Sequence, residues 1–318
     1  MDEIRKKDLE SQGYRLVGNH SAVKVCHWCK SSIKGNGSCY KNAFYGIRSE
    51  QCVQMTPAVN VCNFKCAWCW RNIDMYDVAW SGPVDEPDEI IDGCITAQVD
   101  ALQGFGGSSA ADKVKFAAAQ CPIHFAISLA GEPTLYPKLP ELIDRLKARG
   151  ITAFLVTNGS NPQMIRKLLD HQPTQLYLTF PAPDEESFIR ACRPGTKNAW
   201  QNILETAHML EQFDRSVLRL TLTQNVNMHN PDKYAFWLKQ FNPSFYEFKS
   251  YMWVGHSRKR NPVEAMSRHE DILAFARRVA EVAGLKLISE KPDSRVVLLV
   301  KEDRADRIME FASEGEMI

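Results

Sequence analysis

The chain has 318 residues, enough to bury a sizeable core in one large α/β domain or two small ones. Apolar content of 44% is ordinary for a folded domain, and no run of eighteen apolar residues offers a membrane span. A net charge of +1 gives no global pull on polyanions, so any nucleic-acid contact must come from a local basic patch. The opening "MDEIRKKDLE" lacks the apolar core of a secretory signal, which points to a cytoplasmic protein with reduced thiols. Ten cysteines in that setting suggest metal or catalysis before disulfides. Seven of them lie between 26 and 69, while Cys94, Cys121 and Cys192 follow later and read as packing residues.

In chain order, residues 1–55 read as a cysteine-bearing N-terminal extension, 56–290 as the main domain, and 291–318 as a C-terminal strand and tail. "VQMTPAVNVC" (53–62) is the first strand of the repeating pattern. "LQGFGGSSAADK" (102–113) follows a helix-like segment, matches no full phosphate-binding motif and reads as a loop. Runs rich in β-branched and aromatic residues at 122–129, 151–156, 174–180, 217–223 and 244–254 predict strands. Between them, "LPELIDRLKARG", "PQMIRKLLDH", "NAWQNILETAHMLEQF" and "PDKYAFWLKQF" carry helical periodicity. A last helix is expected from Ser267, with Glu270 in capping-box spacing, to Gly284. Strand–helix alternation with short connections means right-handed βαβ units and a parallel sheet. About six units fit, so the expected fold is an α/β, incomplete (βα)6 TIM-type barrel with its site at the C-terminal ends of the strands.

"VCNFKCAWCW" (61–70) follows the first strand and sets Cys62, Cys66 and Cys69 at spacings of four and three. Three thiolates on a four-iron cluster leave one iron open to a chelating ligand, and the reduced cluster can pass that ligand an electron. The alternative is zinc held by the triplet and a distant fourth ligand; zinc sites more often pair their cysteines two apart, and no His-x-x-x-His follows.

The Cys-x-x-x-Cys-x-x-Cys pattern resembles the signature of radical S-adenosylmethionine enzymes. In "SLAGEPTLYP" (128–137), Gly131 and Glu132 resemble the motif with which that superfamily holds the cofactor's amino group. "VTNGS" (156–160) places Asn158 where such enzymes often make a polar contact. Taken alone, Gly-Glu-Pro would be a plain turn. A narrower resemblance lies upstream, where Cys26, Cys39 and Cys52 stand at two equal intervals of thirteen. With "CAWCWR", "FPAPDEESFIRACRP" and "YEFKSYMWVGHSRKR", this is similar to the archaeal enzymes that make 4-demethylwyosine in tRNA, over roughly residues 14–285.

That resemblance implies two [4Fe-4S] clusters, one on Cys62, Cys66 and Cys69 and one on Cys26, Cys39 and Cys52, with S-adenosylmethionine as cofactor. It implies condensation of pyruvate with N1-methylguanosine of tRNA-Phe, with release of carbon dioxide, methionine and 5′-deoxyadenosine. The class is a carbon–carbon lyase. Lys41, two residues after Cys39, is placed to form a Schiff base with the pyruvate ketone. No flavodoxin-like domain is fused, so a separate ferredoxin- or flavodoxin-type donor is expected. The chain departs from the family at Gln224-Asn225, where a lysine–glycine pair is expected, and at Ser250, where glycine is usual. Cys29 makes a Cys-x-x-Cys pair with Cys26, open to a zinc-ribbon reading, and is expected to be a bystander packed near the cluster.

"GHSRKRN" (255–261) follows the sixth strand, and Arg258, Lys259 and Arg260 suit phosphate contacts beside an extruded base; an ordinary solvated charge run is the plain alternative. Trp68, Trp70 and Arg71 flank the triplet and could cover the cofactor or stack a base. Two rival classes remain: another radical S-adenosylmethionine enzyme, and a zinc-stabilised RNA-binding module without catalysis.

Overall fold

The computed structural model describes residues 1–311. Helix α1 (Glu3–Ser11) leads into a short hairpin, β1 (Arg15–Val17) and β2 (Ser21–Val23), then α2 (His27–Ile33) and α3 (Tyr40–Tyr45). Six βα units follow: β3 (Cys52–Thr56) with α4 (Pro87–Leu102) and α5 (Lys113–Ala118), β4 (His124–Ile127) with α6 (Leu139–Ala148), and β5 (Thr152–Thr157) with α7 (Pro162–Lys167). They continue as β6 (Gln175–Thr179) with α8 (Glu185–Cys192) and α9 (Ala199–Met209), β7 (Ser216–Leu222) with α10 (Pro231–Gln240), and β8 (Phe245–Ser250) with α11 (His269–Ala283). A second hairpin, β9 (Lys286–Lys291) and β10 (Val296–Val300), is the last among the described residues.

Strands β3 to β8 pair in parallel and in sequence order, as the alternation predicted. The two hairpins extend the sheet at its edges by antiparallel pairing, β2 on β3 and β10 on β8, so ten strands run in one sheet that does not close. This is an incomplete (βα)6 barrel. The sheet runs without a break through residues 55 and 290, the limits suggested by composition; positions 312–318 of the expected tail lie outside the described residues.

Side chains alternate across each strand. One set, including Val53, Met55, Phe125, Ile127, Leu218 and Leu220, packs outward against the helices. The opposite set faces the interior, where α3 plugs one end: its Tyr40, Phe44 and Tyr45 pack with Phe154, Tyr177 and Phe245. Most of the remaining interior positions are polar, and with Ala126 and Val156 they build the site.

Several expected boundaries move for local reasons. The first strand stops at Thr56, because Pro57 has no N–H to give the ladder and the chain turns, with Val61 N–H donating to Ala58 O at 3.2 Å. The strand expected to reach 254 ends at Ser250, after which Tyr251 N–H crosses to Leu222 O at 2.8 Å. The last helix starts at His269, not at Ser267: the cap contact is Arg268 N–H to the Asp271 carboxylate at 3.0 Å, and Ser267 donates to Met228 Sδ at 3.1 Å. Its end at Gly284, with φ of 71°, is as expected.

Candidate active site

The cysteine triplet sits on an irregular loop between β3 and α4, held from three directions. The last carbonyls of α8, which have no partner within the helix, accept from this loop: Lys65 N–H reaches Cys192 O and Ala67 N–H reaches Ala191 O, both at 2.8 Å. From the other side, Arg260 donates to the carbonyls of Ala67, Cys69 and Arg71, and the Asn261 amide donates to Ala67 O at 2.8 Å. At the base, Gly131 has φ of 68°, and an added Cβ would stand 1.7 Å from Ala58 O, so no other residue fits there.

All three thiols are half-buried and border one cavity of about 470 Å³, together with Trp68, Trp70, Ser128, Gly131 and Ser250. Burial and the neighbouring Cys66 push the Cys69 thiol up to about 12. Thiols raised by burial in this way become thiolates beside strong positive charge, which an iron cluster would supply. Among the described residues, no three His, Cys, Asp or Glu side chains are placed to hold a single metal ion. A lone tetrahedral zinc draws its thiolates to within about 4 Å of each other. The triplet instead rims a cavity, an arrangement that suits a multi-iron cluster.

Glu132 lies behind that wall, only 2% exposed. One of its oxygens accepts from Thr134 N–H (3.1 Å), Thr134 Oγ1 (2.6 Å) and Thr157 Oγ1 (2.6 Å), and the other from Asn158 N–H (2.8 Å). It joins the ends of β4 and β5 and does not border the cavity, whereas Gly131 does. The Asn158 amide is likewise engaged, donating to Asn63 Oδ1 at 2.9 Å and accepting from Ser160 N–H at 2.9 Å.

A second cavity, about 330 Å³, is bordered by Cys26, Cys29, Cys39, Cys52 and Lys41. Cys26 and Cys39 each precede a short helix, α2 and α3, and Cys52 opens β3. Cys29, one turn into α2, is 1% exposed and donates to Glu50 O at 3.5 Å. Burial pushes its thiol up, as it does those of Cys39 and Cys52. The Lys41 ammonium lies over Phe154 (4.9 Å) and Tyr177 (4.6 Å), and burial, followed by the charge of Arg219, lowers its pKa.

The two cavities share four wall residues: Gln54, Ser128, Arg219 and Lys249. Arg219 is buried against Glu247 (2.9 Å), which also accepts from Tyr45 Oη at 2.7 Å. Lys249 donates to Ser294 O at 2.9 Å, and burial, with Arg219 nearby, lowers it to about 8. Reading the sequence missed Arg219 and Lys249. Their signal was period two: in "LRLTLT" and "FYEFKS" the polar residues recur on one side of the strand, the side that faces the barrel interior.

The basic loop divides. Arg258 and Lys259 are exposed, with Arg258 over Trp253 at 4.3 Å. Arg260 is turned inward onto the cysteine loop, so the expected cluster of three outward cations is two. At the departures noted above, Asn225 takes φ of 63°, the conformation expected of a glycine, and the Ser250 hydroxyl donates to Tyr251 O and Ser267 O.

Residues 56–238 match the radical SAM superfamily and residues 241–301 match the wyosine base formation family. The chain is 41% identical over 300 residues to the S-adenosyl-L-methionine-dependent tRNA 4-demethylwyosine synthase of Pyrococcus horikoshii, covering 93% of this chain and 88% of that one. It is 38% identical over 312 residues to the enzyme of the same name from Methanocaldococcus jannaschii, covering 94% and 96%. A structure of TYW1 with a lysine–pyruvate adduct bound superposes with a TM-score of 0.86 at 36% identity, over 96% of this chain and 97% of that one. Two cysteine triads bordering adjoining cavities in an incomplete barrel, with these relatives across nearly its whole length, place the chain in the radical SAM superfamily and, within it, in the tRNA 4-demethylwyosine synthase family.

Proposed function

We propose that this chain condenses pyruvate with N1-methylguanosine in tRNA-Phe, retaining two pyruvate carbons in a third ring of the base and releasing the other as carbon dioxide. The observation that carries this reading is the position of Lys41, buried among the second triad's thiols in a cavity that shares four wall residues with the first. Cys62, Cys66 and Cys69 would hold a [4Fe-4S] cluster, which together with S-adenosylmethionine supplies the radical that removes a hydrogen from the guanosine N-methyl group. Cys26, Cys39 and Cys52 would hold a second cluster. A ferredoxin- or flavodoxin-type protein would provide the electron. No helix among the described residues is long and apolar enough to cross a membrane, in keeping with work on tRNA in the cytoplasm.

The chain's own residues do the positioning. Lys41 attacks the pyruvate ketone as a neutral amine, and its aromatic, buried surroundings disfavour the ammonium. The imine ties pyruvate to the wall, so that addition of the methylene carbon becomes an intramolecular step. Lys249 and Arg219 stand in the wall that the two cavities share, where they would meet the pyruvate carboxylate. The bound lysine–pyruvate adduct in a structural relative supports an amine in this role. Arg258 and Lys259 lie outside, free to meet tRNA phosphates. Borohydride added with labelled pyruvate should leave label on the Lys41 peptide, and Lys41→Ala should take up none while keeping its iron. A Lys41→Ala protein with normal turnover would remove the imine from the mechanism.

A further inference from the structure

After β10, residues 303–311 pass along the end of α3 and bond to its backbone. Helix α3 has six residues, too few to be stable alone, so its position depends on what holds its ends. Its last carbonyls have no partner within the helix. Two of them are met from this segment: Arg307 Nη1 donates to Phe44 O at 2.9 Å, and Met309 N–H donates to Tyr45 O at 3.0 Å. The next residue, Gly46, has φ of 83°, and an added Cβ would stand 2.4 Å from Met309 O, so the segment lies directly against the turn.

The segment is itself pinned to the strands. Arg215, buried just before β7, donates to Asp306 O at 2.7 Å and to Arg307 O at 2.9 Å. Arg307 is oriented by its Nε bond to Asp303 at 2.9 Å. Arg48 Nη2 donates to Phe311 O at 2.9 Å, and the Phe311 ring meets His124, which opens β4, at 4.6 Å. From this clamp the path to Lys41 is short. Ile47 N–H donates to Lys41 O at 3.3 Å across the Gly46 turn, and Ile47 borders the second cavity together with Lys41. The cysteine end of α3 is held separately, by Ser49 Oγ accepting from Cys39 N–H at 2.9 Å. None of these contacts reaches the loop of the first triad.

We infer that residues 303–311 are a positioning strap for Lys41: Arg307 and Met309 fix the far end of α3 and, through its closing turn, the amine that meets the pyruvate ketone. The inference rests on the proposed function, in which Lys41 forms that imine. An amine displaced by about 1 Å from its line of attack reacts about 100-fold less well, so a clamp that touches no ligand still governs the step.

The test uses full-length protein, anaerobically reconstituted to about eight irons per chain. Arg307→Ala and Met309→Pro each remove one donor to α3, and Met309→Ala, which keeps the N–H, is the control. Labelled pyruvate is titrated in the presence of borohydride, and label on the Lys41 peptide is measured. Cleavage of S-adenosylmethionine without tRNA reports on the first triad. In both donor-deleted variants the pyruvate concentration for half-maximal labelling should rise about 10- to 100-fold, with full labelling recovered at high pyruvate. Iron content, cleavage and the Met309→Ala titration should match wild type. An unchanged titration in either variant, an equal shift in Met309→Ala, or cleavage falling in step with labelling would overturn the assignment. If Met309→Pro loses iron, Arg307→Ala decides alone, and iron loss there too would make the segment a support of the fold and not of the lysine. Wild-type protein with full iron that takes up no label would instead overturn the parent reading, before any variant is compared.

Discussion

One turn of helix separates two cysteines with different fates. Cys26 stands before α2 and Cys29 one turn into it; both border the second cavity, and Cys29 donates to Glu50 O and receives a contact from the Gln98 amide at 3.6 Å. A serine at 29 is slightly smaller and keeps a donor for Glu50 O. Cys29→Ser should therefore retain about eight irons per chain after reconstitution, whereas Cys26→Ser should fall to about four. Loss of the second cluster in Cys29→Ser would show four protein ligands and leave no open iron for pyruvate. At this scale the sequence was informative where neighbours share a job, as Lys41 does with Cys39. It was silent where a side chain serves a distant element. Glu132 is recognisable by motif, yet its four hydrogen bonds to Thr134, Thr157 and Asn158 depend on how β4 and β5 end.

Among the elements, the cysteine loop has little regular structure and borrows its shape from α8 and from residues 255–261. Gly255 shows how close this second contact is: an added Cβ would stand 2.4 Å from Trp70 O, and His256 N–H donates to that same oxygen at 2.9 Å. Arg260 thus belongs to the loop's support, while its neighbours Arg258 and Lys259 face outward. The two halves of the basic run should separate on mutation. Arg258→Ala with Lys259→Ala should weaken tRNA binding and lower its salt dependence by about two phosphate contacts, with iron content unchanged. Arg260→Ala should lose first-cluster iron instead, because several loop carbonyls lose their donor. Loss of tRNA affinity alone in Arg260→Ala would return that residue to the phosphate-binding group. The spacing of the cysteines was legible in one glance at the sequence. The clasp was not, because it joins positions about 190 residues apart through backbone carbonyls that any side chain could carry.

For the whole molecule, the parallel strands were legible because their outward faces must be apolar to receive helices on every side. The first edge hairpin was not: β1 and β2 are three residues each, too short to show a period. The barrel interior collects positive charge that the total of +1 conceals. Arg219 has Glu247, but Lys41, Lys249 and Arg71 border the cavities with no carboxylate in ion-pair contact among the described residues. Buried charges are kept when something else balances them. In the proposed reading, two clusters, each net negative with three thiolates, and the carboxylates of pyruvate and S-adenosylmethionine would supply that balance.

The most direct test of this account is the mass of the modified base. Reconstituted protein, a strong one-electron reductant, S-adenosylmethionine, tRNA-Phe carrying N1-methylguanosine, and pyruvate labelled at carbons two and three would be combined without oxygen, and the nucleosides analysed by mass spectrometry. The expected product retains both labelled carbons in a tricyclic base, while label placed at carbon one leaves as carbon dioxide. Cleavage of S-adenosylmethionine by fully loaded protein, with no pyruvate carbon in the tRNA, would contradict it.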